Sequence, residues 1–358
     1  MTGGAELARL RGAVPAKRHN ARTIAALTGN PGCTRRAVLD AAGVDKPRLA
    51  QRIGFPSSFG QSRFALARGN GFEAMLKADG CALLLALLRD TVGLEAPDVG
   101  YDDLGSDADD TLAARQARTR ELLAGAAGAA LIDHPLLTLD VAGQQVFLEP
   151  DLIALQVRGR LHVVEIKSFA VVDGQADGAK VSGAAVQAAV YVLALRRLLA
   201  ELGHDETLVS HDVVLVCPEN FSLRPTAVVL DVRKQLATLR RQLTRLASVS
   251  GLIAALPPSV RFDLALPPAE LIAALDQVAA RYAPECLSTC ELSVFCRHES
   301  AGTTATLGRP VRDALGGIET IDEVLAFAAG TGEPAAEQAE AAALLRTAAR
   351  LRAEALTR

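Results

Sequence analysis

Two hydrophobic rhythms divide the chain. Apolar residues recur at three- and four-residue spacing through residues 110–130, 183–202 and 232–247, which predicts helices with one buried face. Other apolar runs are short and stop at turn residues, which predicts strands. The pairs are 136–141 with 145–148, turning at Ala142-Gly143, and 152–157 with 161–167, turning at Arg158-Gly159-Arg160. Two further apolar segments, 208–217 and 225–232, complete the expected sheet. The first fifty residues read as short helices broken at Gly29-Asn30-Pro31-Gly32, and a dense apolar helix begins at Cys81. Residues 90–110, rich in Asp and Gly, read as a surface connection, and 334–356 as a long Ala-, Glu- and Arg-rich helix. The expected class is therefore α/β, a mixed central sheet flanked by helices with helical N- and C-terminal parts. Four regions follow: a basic helical part (1–125), a core (126–250), a helix and cysteine loop (251–300) and a helical extension (301–358).

Composition narrows the class. The 358 residues are 50% hydrophobic and 22% charged, which fits a folded chain with a large core and excludes a disordered one. No continuous apolar run approaches the roughly 18 residues of a membrane span, and the first residues lack a secretory pattern, so the expectation is a cytoplasmic protein away from membranes. The net charge of −3 does not suggest a nucleic-acid partner. Its distribution does: through Asn70, basic residues such as Arg9, Arg18, Arg35, Arg36 and Lys46 face only Glu6, Asp40 and Asp45, and a local basic surface can hold phosphates by counterion release. Solvated helix faces would produce the same excess, and the same two readings apply to Arg240, Arg241, Arg245 and Lys180.

The chemistry concentrates between Glu149 and Tyr191. Side chains alternate along a strand, so Glu165 and Lys167 share one face while Ile166 points into a core. The hairpin brings Asp151 near Glu165. Two carboxylates supply the hard oxygen ligands that Mg2+ or Mn2+ prefers, and an ammonium two residues on can orient an attacking water or stabilise charge on a phosphoryl oxygen. Metal-dependent phosphodiester hydrolysis is the leading reaction.

These residues resemble the PD-(D/E)XK nucleases, specifically their RecB-like branch. Pro150-Asp151 and Glu165-Ile166-Lys167 match the defining motif, and Gln187 with Tyr191 matches the Q-x-x-x-Y signature, four apart and so on one helix face. The resemblance implies a restriction-endonuclease-like core, a metal site of Glu73, Asp151, Glu165 and Ile166, and catalytic roles for Asp151, Glu165, Lys167, Gln187 and Tyr191. Glu73, in Arg68-Gly69-Asn70-Gly71-Phe72-Glu73, stands where the branch more often has His; an exposed first-turn acid would look the same.

A second constellation is Cys286, Cys290 and Cys296, three thiols in one short segment that require a fourth ligand from elsewhere. Cys33 is the candidate, while Cys81 and Cys217 sit in apolar surroundings and read as core thiols. One N-terminal and three C-terminal cysteines around such a core resemble the CRISPR-associated and AddB-type iron-sulfur exonucleases, which implies a 4Fe-4S cluster clamping the two ends of the chain. Cys286 and Cys290 are separated by three residues where that group has two. Zinc, held by Cys or His298, is the alternative.

The implied activity is cleavage of DNA, from single-stranded ends. A non-cleaving subunit of a helicase-nuclease or defence complex, with a protein partner, and a site-specific endonuclease are the competing expectations. No phosphate-loop motif is present, so the chain carries no ATP-driven motor of that type. The absence of Trp weakens a base-stacking mode of strand binding.

Overall fold

The structure is a computed structural model describing residues 3–57, 63–105, 111–125, 128–141, 144–220, 222–247 and 249–357. The chain divides into two compact units. One joins residues 1–17, 29–59 and 249–358; the other joins 18–28 and 60–248.

The second unit is α/β. Its six-stranded sheet comprises β1 (Gly100–Asp103), β2 (Ala130–Asp133), β5 (Leu152–Val157), β6 (Arg160–Ile166), β7 (Asp212–Pro218) and β8 (Pro225–Asp231), adjacent in that order. The β1/β2 and β6/β7 pairs are parallel and the others antiparallel, so the sheet is mixed. The expected first pair forms as β3 (Leu137–Val141) and β4 (Gln144–Leu148), but as a separate two-stranded sheet, and its turn at Ala142-Gly143 lies outside the described residues.

The central hairpin follows from its turn. Val157 pairs with Arg160, leaving Arg158 and Gly159 as a two-residue loop with φ of 51° and 73°, the type I′ geometry whose twist matches that of the strands. Upstream, Leu152 pairs with Val164 and Ile153 with Val163. On β7 the alternation is clean. Val214 and Val216 join a core with Phe72, Leu76, Leu84 and Leu88 of the helix Arg63–Val92, while Leu215 and Cys217 join Ala184 and Val181 of the helix Gly178–Glu201. Both faces are thus covered, as a parallel β6-helix-β7 crossover requires.

The helix Gly178–Glu201 starts earlier than the apolar periodicity suggests because Asp177 caps it, accepting from the amides of Ala179 and Lys180. By length and average hydropathy it is apolar enough to cross a membrane, although Lys180, Arg196 and Arg197 interrupt it. Of its most apolar window 56% is buried inside the protein, as expected of a core helix. The amphipathic helix Arg233–Ala247 buries Leu236, Leu239, Leu243 and Leu246 and leaves Arg240, Arg241 and Arg245 exposed.

Two strands depart from the sequence reading. β1 lies inside the expected surface connection, and β2 follows a helix that ends at Ala124 rather than near 130. Each is four residues long, too short for an alternation to register against its surroundings. A third departure is inside the helix Arg63–Val92, where Asp79, Gly80 and Cys81 all take left-handed conformations (φ 51°, 66° and 63°). For the two non-glycine residues this costs about 1–2 kcal/mol each.

The first unit is built from short helices, including Thr34–Ala42, Lys46–Arg52, Cys286–Thr289 and Ser293–Glu299. Its core holds Val38, Leu39, Leu49, Phe262, Leu271 and Phe295. Near the C-terminus, the helices Ile321–Ala329 and Ala339–Leu356 bury Phe327, Ala341 and Ala342 with Leu315 and Ile318. The basic N-terminal residues are largely used internally. Arg35, Arg36 and Lys46 are buried, with Arg36 and Lys46 meeting Asp40 at 3.3 and 2.5 Å and Lys46 reaching Glu291 at 3.1 Å, so these three do not form the phosphate-binding surface expected of them.

Phe72 is among the largest fully buried side chains and fills the core under the sheet. Phe72→Ala is expected to lower the unfolding free energy by about 3–5 kcal/mol, read from denaturant melts.

Candidate functional site

Asp151 precedes β5, and Glu165 lies near the end of the adjacent β6, so the hairpin register brings them together. The amide of Ile166 donates to Asp151 Oδ2 at 2.7 Å, tying the two strands at the site. Ile166 has no donor atom on its side chain, which is buried in the core, so any part it takes in holding a metal is through its main chain. Glu165 is only 1% exposed. The Lys167 ammonium lies against Glu165 Oε1, while Oε2 has no hydrogen-bond partner.

The electrostatics follow. Burial first, then the charge of Asp151, push the Glu165 carboxyl up to about 8. Burial also raises Asp151, with Lys167 and the Ile166 amide opposing it. Burial works against the charge of Lys167, but Glu165 and Asp151 outweigh it and hold the ammonium above its ordinary range. Two acids side by side, with Oε2 of the buried Glu165 unpartnered and a single ammonium against Oε1, fit an oxygen-ligated divalent cation.

Gln187 and Tyr191 share one face of their helix, and Gln187 Nε2 donates to the Tyr191 hydroxyl at 3.0 Å. Tyr191 is buried, and burial followed by the charge of Glu165 raises its hydroxyl's pKa.

Glu73 reaches the same region but is engaged. It ion-pairs with Lys77 and lies 3.5 Å from His134 Nε2. Its carboxyl is held down at about 2, chiefly by His134 and then by Lys77 against the effect of burial. Lys77 also pairs with Asp133 at 2.6 Å, and Tyr101 donates to Asp133 Oδ2 at 2.7 Å. His134, bonded to Asp133 and Glu73, is pushed up to about 10. Among the described residues, Asp103, Asp133 and His134 place ligand atoms within 4.8 Å of one another, as do His211, Asp212 and Asp231; Glu73, Asp151 and Glu165 do not form such a group.

Lys77, Asp133 and His134 escaped the sequence reading. Asp133 pairs with Leu152 at the start of β5, beside Asp151. The available signal was Leu131-Ile132-Asp133-His134-Pro135, an apolar pair followed by two ligand-type residues and a proline stop. Lys180, expected near a substrate channel, is exposed on the first turn of its helix.

The four candidate cluster thiols all belong to the first unit. Cys286, Cys290 and Cys296 are buried and Cys33 half-buried, and the thiols of Cys290 and Cys33 act electrostatically on Cys296. Burial pushes the Cys296 thiol up to about 12 and raises Cys290, so without a metal both are neutral. Two N–H donors nonetheless face sulfur: Asn30 Nδ2 donates to Cys286 Sγ at 3.2 Å and Arg35 Nη1 to Cys296 Sγ at 3.5 Å. A neutral thiol accepts weakly, so this arrangement suits metal-bound thiolate. His298, the alternative zinc ligand, is exposed with its ring 5.0 Å from that of Phe55. Cys81 and Cys217 are core thiols in the other unit.

No family model matches the chain, and no curated protein matches it. Among solved structures the chain is similar to "Crystal structure of SSO0001" at 11% identity, over 68% of this chain and 84% of that one, with a TM-score of 0.27, too low to establish a common fold. The chain's class is therefore defined by its own architecture, an α/β protein with a mixed six-stranded sheet flanked by helices.

A carboxyl raised from 4.5 to about 8 by folding favours the unfolded state increasingly as pH rises through that window, because the unfolded chain ionises first. In chelator-treated protein, Glu165→Gln is expected to raise the Tm relative to wild type, by a margin that is small near pH 4.5, grows to about pH 8 and then levels off. Thermal melts across this range measure it; a margin independent of pH would contradict the burial-driven shift.

Proposed function

We propose that the sheet-end site hydrolyses phosphodiester bonds in DNA with Mg2+ or Mn2+, and that the six-stranded sheet is a PD-(D/E)XK core of the RecB-like branch. The observation that carries this reading is the buried Glu165 carboxyl, set beside Asp151, with Lys167 against one oxygen and the other unpartnered. Asp151 and Glu165 hold the cation, with Glu73 adjacent. When bound, that cation lowers the pKa of a water and offsets charge on the phosphate. Lys167 orients the attacking water and stabilises the growing charge on the phosphoryl oxygen. Gln187 and Tyr191 keep the Glu165 face in place. The preference for single-stranded ends comes from the family resemblance and identifies the first substrate to test.

Asp151→Ala and Lys167→Ala are expected to keep the wild-type circular dichroism spectrum while losing about 10²-fold or more of Mg2+- or Mn2+-dependent cleavage of linear single-stranded DNA. Wild-type rates in either variant would overturn the assignment. Cutting of circular single strands would make the enzyme an endonuclease, and DNA retention without cleavage across substrates would make it a binding subunit.

For the thiol centre we propose a 4Fe-4S cluster on Cys33, Cys286, Cys290 and Cys296, supported by the two N–H donors aimed at sulfur. Anaerobically purified wild type is expected to contain iron and acid-labile sulfide in equal amounts, and Cys290→Ser to lose most of both. Zinc in the wild type would replace this assignment and leave the nuclease site untouched.

A further inference from the structure

The segment Asn30 to Arg35 supplies more than the Cys33 thiol. Three residues before Cys33, Asn30 donates to Cys286 Sγ at 3.2 Å; two residues after it, Arg35 donates to Cys296 Sγ at 3.5 Å. Both donors are buried. Each is also locked: Asn30 Nδ2 bonds the carbonyl of Arg281, Arg35 Nε bonds that of Val278 at 3.1 Å, and the Arg35 amide bonds that of Ala279 at 3.0 Å. Glu299 holds the guanidinium from the other side, with Nη2 to Oε1 at 3.0 Å.

Ligation alone requires four thiolates and none of these donors. Hydrogen bonds and positive charge at sulfur stabilise whichever state of a cluster carries more negative charge, which is the reduced state, and so raise the reduction potential. We propose that the thiol centre is redox-active, taking up one electron from a low-potential one-electron donor, and that Asn30 and Arg35 set its potential as positioning residues. This rests on the cluster assignment above. The electron lowers the formal valence of the iron, no bond forms or breaks, and the added charge falls on sulfurs that already face fixed N–H groups.

The test is an anaerobic redox titration of the full chain, followed by electron paramagnetic resonance, on wild type, Asn30→Leu, Arg35→Lys and the double variant, after iron and sulfide analysis of each. Expected are wild-type iron contents and a lower midpoint potential in each variant, lowest in the double, so that a mediator mixture poised to half-reduce the wild type reduces clearly less than half of either variant. Unchanged midpoints at full iron content would overturn the proposal, as would a wild-type cluster that dithionite does not reduce. Should a variant lose its iron, wild-type protein with 15N-labelled arginine and asparagine side chains decides: hyperfine coupling from both nitrogens in the reduced state supports the proposal, and its absence overturns it. An iron-free wild type would instead defeat the cluster assignment itself, and the metal analysis reveals that before any potential is measured.

Discussion

The second unit depends on a carboxylate in the wrong solvent. Glu165 lies near the end of a central strand in a sheet covered on both faces, almost fully buried, with one ammonium against one oxygen and no partner for the other. An isolated ionised carboxylate in such a place is strongly disfavoured, and the fold responds by raising its pKa to about 8. The surroundings are arranged around that charge. The Ile166 amide fixes Asp151 beside it, Lys167 follows just past the strand's end, and the charge of Glu165 is felt at the buried Tyr191 hydroxyl, to which Gln187 donates. A divalent cation would complete the balance that Lys167 alone leaves unfinished.

The neighbouring network around Asp133 is balanced by contrast. Lys77, Tyr101 and His134 all contact this buried carboxylate, whose pKa falls despite burial. Lys77 and His134 in turn engage Glu73, so Glu73 stands near the Asp151–Glu165 pair as a charge already compensated. The left-handed stretch from Asp79 to Cys81 begins two residues after Lys77, and backbone strain of this kind persists only where surrounding contacts hold it.

In the first unit the same physics operates with opposite sign. Arg35, Arg36 and Lys46 are cations out of water, tolerated because Asp40, Glu291 and Glu299 pair with them and because sulfur lies close. The positive balance of the N-terminal sequence suggested a surface for phosphates. Its burial assigns these residues to internal charge compensation, a distinction that net charge along a sequence cannot make.

Much of this architecture was legible in the residues. The Arg158-Gly159 turn between two apolar runs specified the hairpin, and hairpin register then determined that Asp151 meets Glu165, because pairing and alternation are local rules. The four-residue spacing of Gln187 and Tyr191 likewise placed both on one helix face. The short strands β1 and β2, the separation of the β3/β4 pair from the main sheet and the Asp133, His134 and Lys77 network were not legible, since four residues carry no periodicity and contacts across 57 positions, such as that between Lys77 and His134, leave no local pattern. The sequence by itself determined which residues could share a strand or helix face. Only the tertiary structure decided which charges lie buried and what stands opposite them, because desolvation depends on every element packed around a group.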